Sequence, residues 1–196
     1  MRTVRTLLLA PLAVVLASCA AIPPATSTVA SVDVERYLGT WYEVGSVKQF
    51  FSFGLVNTTA NYSLLPDGSI RVENSGNYFT ADGPESRIVG SARPVDATNA
   101  RLDVSFTGPS GGNPPGNYWI VDLDADYRWA IVSDPTGTSA FLLSRTRSVS
   151  PELYGELVDR AAAKGVDVTN LTPTEQPGSG TAPTERNAAG GVDTTR

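Results

Sequence analysis

NYWIVDLDADYRWAIVSDPTGTSAFLLSRT, residues 117–146, holds three runs of β character. The run at 117–124 reaches the run at 127–134 through only a couple of residues. Pro135-Thr136-Gly137 then turns the chain into the run at 138–146. Strands joined by turns this short must be antiparallel. Upstream lie five more such runs, at 39–47, 57–65, 69–77, 86–95 and 100–106. Pro66-Asp67-Gly68 makes the second and third of these a hairpin, and GPSGGNPPG at 108–116 is a loop by composition. Eight antiparallel strands read as a sandwich or a closed barrel, and periodicity alone does not choose between them. One helix follows. Ser150 is a good N-cap, Pro151 suits the first helical position, and Gly165 suits a left-handed C-terminal residue. Leu153, Leu157, Val158, Ala161 and Ala162 form one apolar stripe, which must lie on the outer face of the sheet.

The chain has 196 residues, 41% of them apolar and 18% charged, enough for one globular domain. Its net charge of −5 argues against a nucleic-acid partner. There is no histidine, which removes Ser–His nucleophilic pairs, His metal sites and His-ligated haem. Cys19 is the single cysteine, so no internal disulfide is possible. We expect no metal, no cofactor and no catalytic residue.

The ends are of a different kind. Arg2 and Arg5 precede an apolar run, 7–17, that is too short to span a bilayer as a helix. A basic start before a short apolar stretch is a secretion signal, assigned to residues 1–18. Leu16-Ala17-Ser18-Cys19 resembles the bacterial lipobox. That resemblance implies diacylglycerol on Cys19 and cleavage just before it, hence a membrane partner held through acyl chains. The mature chain would lack Arg2 and Arg5 and be more acidic still, so lipid chains rather than charge would hold it to a membrane. Residues 19–31 read as a flexible lipidated tether, and 173–196 as a disordered tail.

Three short motifs decide the architecture. Gly39-Thr40-Trp41-Tyr42-Glu43, preceded by Val34-Glu35-Arg36-Tyr37-Leu38, resembles the first lipocalin signature, a Gly-x-Trp motif after a short helical turn. Asp124-Ala125-Asp126-Tyr127 resembles the second, and Leu143-Ser144-Arg145-Thr146 the third. Order, spacing and the trailing helix all match over residues 32–172, and the likeness is to the bacterial, apolipoprotein D-like lipocalins. The resemblance implies an all-β fold: an eight-stranded antiparallel up-and-down barrel, with the C-terminal helix packed outside. Such a barrel holds one small ligand. It also implies that Trp41 and Arg145 close one end as a cation–π pair, worth roughly 0.5–2 kcal/mol.

Strand alignment to that family sets which residues face in. Beside Trp41, Glu43 and Gly45 are expected inward. Thr58, Ala60 and Tyr62 follow on the second strand, and Val72 and Asn74 on the third. Ile88 and Gly90 come from the fourth, Val104 and Phe106 from the fifth. Tyr118 and Ile120 come from the sixth, Phe141 and Leu143 from the eighth. The set is mostly apolar with small members, which suits a small hydrophobic ligand of fatty-acid or lysophospholipid class. Glu43 is the least ordinary, because an inward carboxylate must be paired, hydrated or protonated. We expect a structural partner for it near the closed end.

The function implied is a membrane-anchored carrier in the cell envelope, on the outer face of the plasma membrane or on the outer membrane. Two other readings compete with it. An enzyme without histidine would need a strongly shifted carboxylate as base. An interaction lipoprotein with a filled barrel would explain the apolar segment Gln49-Phe50-Phe51-Ser52-Phe53, which could also line the ligand entrance or face a membrane.

Overall fold

The computed structural model describes residues 26–49 and 52–177. The expected secretion signal, Cys19, Phe50, Phe51 and the stretch 178–196 lie outside them. Eight strands close an antiparallel up-and-down barrel: β1 Gly39–Val47, β2 Leu55–Leu64, β3 Ile70–Tyr78, β4 Glu85–Pro94, β5 Arg101–Ser105, β6 Tyr118–Leu123, β7 Trp129–Ser133 and β8 Ala140–Ser144. Each strand pairs with the next, and β1 closes the ring by pairing with both β8 and β2. A four-residue helix, α1 (Val34–Tyr37), is capped by Asp33 and leads into β1. The longer helix α2 (Pro151–Ala163) follows β8, with the Ser150 side chain accepting from the Leu153 amide.

The turns at 65–69, 95–100 and 124–128, together with α1, lie at one end of the barrel. The turns at 48–54, 79–84 and 134–139 lie at the other. Alternation along the strands builds two apolar layers. Trp41, Val72, Ile120, Ala130, Val132 and Leu143 fill the inside. Val44, Val121, Trp129, Ile131 and Leu142 point outward and are buried under Leu157 and Ala161 of α2. This is why the short strands β7 and β8 are apolar on both faces.

Three sequence expectations are corrected. Gly45 faces outward, not in. A β-bulge after Glu43 puts two residues opposite one, so Glu43 pairs with Leu143 but Gly45 with Leu142. A Cβ on Gly45 would stand 2.9 Å from the Tyr154 ring of α2.

The ordered fold also outruns Thr172. A ninth short strand, β9 (Leu171–Pro173), pairs with Val47–Gly45. Asn57 N–H then donates to the Glu175 carbonyl at 2.7 Å, and Gln176 Nε2 donates to the carbonyls of Glu43 and Thr58, both at 2.8 Å. Residues 171–176 thus bridge β1 and β2 where those strands part, because the main-chain groups left by their divergence need partners.

Third, the tether is docked at its inner end. Val29 N–H donates to the Ile120 carbonyl at 3.0 Å, and Thr26 Oγ1 to the Gly165 carbonyl at 3.4 Å.

Candidate ligand-binding site

The barrel interior divides along its axis. At the end closed by α1, Trp41 is fully buried and its indole N–H donates to the Tyr37 carbonyl. The Arg145 guanidinium lies over the indole, 3.7 Å from the ring centroid. It also donates to the carbonyls of Thr40 at 2.9 Å and Arg36 at 2.8 Å, tying β8 to α1 and β1. The expected closing pair, Trp41 and Arg145, is therefore in contact and fully engaged. Asp124 supports the same end, holding Arg128 by two bonds of 2.7 and 2.8 Å. Those bonds, against the opposing pull of partial burial, bring its carboxyl down to about 2.

Above Trp41, three phenols meet. Tyr118 Oη lies 2.8 Å from Tyr37 Oη and 2.9 Å from Tyr62 Oη. Burial raises all three, Tyr62 to about 12, so the cluster stays protonated and neutral. Tyr62 and Tyr118, expected as ligand contacts, spend their hydroxyls on each other and on Tyr37. Tyr37 was absent from the expected cavity lining. Its only sequence signal was its place in the helical turn before Trp41. A void of about 10 Å³ remains beside it, between Val32, Ile70, Leu102 and Ile120, with room for at most one water. Val72, Ile120 and Leu143 are buried in this layer.

The other half of the inner face is reached by solvent. Ala60, Val104 and Phe141 border the inner core and are only partly buried. Ile88 is 48% exposed and Phe106 37% exposed. Ile88 pairs with Asn74, which in turn pairs with Ala60. A Cβ on Gly90 would collide with the Ser105 carbonyl oxygen and fall 2.6 Å from the Phe106 ring, so the glycine admits both the close approach of that backbone and the side chain. Thr58 Oγ1 and Asn74 Oδ1 are buried with no protein hydrogen-bond partner. The expected residues therefore divide: Tyr62, Tyr118, Val72, Ile120 and Leu143 form a floor, while Thr58, Ala60, Asn74, Ile88, Gly90, Val104, Phe106 and Phe141 lie beyond it toward the other end.

Glu43 has its structural partners in the wall rather than at the closed end. Its Oε1 accepts from Lys48 Nζ and Ser46 Oγ, both at 2.8 Å, and from Thr174 Oγ1 at 2.5 Å. Lys48 Nζ also reaches the Leu55 carbonyl at 3.2 Å. The ion pair is thus satisfied within the protein, as a buried charge requires. The sequence reading missed Lys48. Its alternation signal was destroyed by the bulge at 43–45. Among the described residues no group of three His, Cys, Asp or Glu side chains could hold a metal ion.

Comparison with known proteins follows the same outline. A family model described as a lipocalin-like domain matches residues 32–176. The outer membrane lipoprotein Blc of Escherichia coli is 39% identical over 158 residues, covering 80% of this chain and 86% of Blc. Apolipoprotein D of Mus musculus is 31% identical over 151 residues, covering 74% and 77%. Among solved structures, the cockroach allergen Per a 4 aligns with a TM-score of 0.57 at 17% identity, covering 79% of this chain and 96% of the allergen, a likeness of fold alone.

Proposed function

The chain belongs to the lipocalin-like family, and from that premise we propose that it carries a hydrophobic ligand of fatty-acid or lysophospholipid class in the open half of its barrel. The observation that carries this reading is the exposure of apolar residues on an inner face. Ile88 points inward by register, the Phe106 ring lies against the inner side of Gly90, and both still meet solvent. Acyl chains are what such a surface removes from water, at about 25 cal/mol per Å² of apolar area buried. The predicted contacts are Thr58, Ala60, Asn74, Ile88, Gly90, Val104, Phe106 and Phe141. Cys19 carries the lipid that fixes the protein in the cell envelope, on the outer face of the plasma membrane or on the outer membrane. The role is lipid storage, transport or envelope maintenance, with no catalytic step. Blc, a relative named as an outer membrane lipoprotein, supports the envelope assignment.

Two measurements test it. Denaturing extraction of protein purified without residues 1–19, followed by mass spectrometry, should release a fatty acid or lysophospholipid. Protein that yields none and binds no apolar fluorophore would instead act as an interaction module, a reading favoured by the filled floor. Labelled palmitate should enter the wild-type chain in cells and not the Cys19→Ser variant.

A further inference from the structure

We propose that the open end of the barrel docks on the bilayer, with Phe53 and Phe79 entering the lipid, so that the cup opens onto the membrane. This rests on the anchoring of Cys19 proposed above. The first observation is where the chain enters the fold. Thr26 Oγ1 donates to the Gly165 carbonyl just beyond α2 and lies 2.6 Å from where a Cβ on Gly137 would stand. Gly137 belongs to the 134–139 turn, at the same end as the turns at 48–54 and 79–84. The tether therefore leaves from the mouth. Six residues separate Thr26 from Cys19, and the seven Cα–Cα steps between them span at most about 25 Å.

Length then decides orientation. The ten residues of β2 extend about 33 Å, or about 25 Å along the axis once tilted by 35–45°. A barrel standing on its closed end would need a tether stretched taut along its wall. A barrel standing on its mouth needs no stretching.

The rim carries the chemistry. Phe53 is 74% exposed and Phe79 72% exposed, the two most exposed large hydrophobic residues described. Their turns are joined, because Phe79 N–H donates to the Gly54 carbonyl at 2.7 Å. A Cβ on Gly54 would fall 2.8 Å from the Phe79 ring, and Tyr78 lies 6.0 Å from that ring. Phe79 has φ 67, a backbone region that glycine or asparagine adopts freely and a bulky residue avoids. The left-handed backbone at Phe79 serves to join the two rim turns, but the exposure of both phenyl rings serves no contact within the fold and points to a surface that covers them. Asp82 and Glu85 are also exposed at this rim, so attraction to anionic lipid is not the driving force. Apolar insertion drives it, and tethering makes a weak contact effective by raising its local concentration.

The test supplies the anchor chemically, so it holds whether or not the cell acylates Cys19. Mature chain starting at Cys19 is coupled through its only thiol to maleimide-bearing phosphatidylethanolamine in phosphatidylcholine vesicles. Phe79→Trp reports the mouth, and Ala125→Trp, on the exposed 124–128 turn, reports the closed end. Dibrominated phosphatidylcholine should quench the added Phe79→Trp emission at least twofold more than the parent emission and shift it to the blue. Phe53→Ser in that background should reduce the quenching, and Ala125→Trp should match the parent. Equal quenching at both ends, stronger quenching at Ala125→Trp, or none at either overturns the proposal. A concentration-dependent blue shift of Phe79→Trp without vesicles also overturns it, and makes a second copy of the chain the occupant.

Discussion

The two ends of the barrel are built to different standards. At the closed end Trp41 is stacked, hydrogen-bonded and fully buried, and Arg145 spends its donors on the backbones of three separate elements. At the mouth, Phe106 and Ile88 meet solvent on an inward face, and Phe79 sits on strained backbone with its ring in water. One polypeptide thus puts its cohesion at the floor and leaves the rim imperfect. Apolar surface lowers the free energy of folding only when it is buried, so a cup that stays available to a guest must forgo part of that stabilisation.

Substitutions ranked by effect on stability test the contrast. Trp41→Ala should cost about 3–5 kcal/mol, read from urea unfolding, because it opens a cavity and strands the Arg145 cation. A cost under about 1 kcal/mol would erase the distinction between the ends. Lys48→Met, at the start of the 48–54 turn, should cost about 2 kcal/mol, since Glu43, midway along β1, keeps Ser46 and Thr174 but loses its counter-charge in a buried position.

Acid should weaken the closed end through Asp124. Its folded pKa of about 2 lies below the unfolded value, so its contribution is complete above about pH 4 and lost as pH falls toward 2. The stability difference between wild type and Asp124→Asn should shrink over that window, by an amount on the order of 1 kcal/mol.

In the wall the readouts should separate. Ala60→Phe fills the cup and should lower affinity for an apolar fluorophore at least tenfold while changing stability by less than about 1 kcal/mol. At the rim the sign should reverse. Phe79→Gly should leave stability unchanged or raise it by about 0.5–1 kcal/mol, because it relieves a left-handed backbone at an exposed residue. A loss of more than 1 kcal/mol on that change would mean the phenyl ring holds the mouth together, and the comparison would fail at its most exposed point.

Much of this was legible without coordinates. Clean alternation at 100–106 and the Pro-Asp-Gly and Pro-Thr-Gly turns marked strands and hairpins, because those signals depend on residues a few positions apart. Ser150, Pro151 and Gly165 marked both ends of the long helix for the same reason. The likeness to lipocalins supplied the phase, and it held for Trp41, Ala60, Tyr62, Val72, Ile120 and Leu143. It failed at Gly45, where one extra residue in β1 turns the next side chain outward.

The amino-acid sequence alone determined the strands, their order, the helix and the absence of histidine chemistry. Those follow from local periodicity, turn residues and composition. Tertiary structure alone decided which inward residues are floor and which are wall, that Lys48 and Thr174 answer Glu43, and that residues 171–176 bridge β1 and β2. Each of those depends on groups brought together by closure, some of them 131 residues apart in the chain. No local pattern encodes a partner at that distance, so only the closed barrel can specify it.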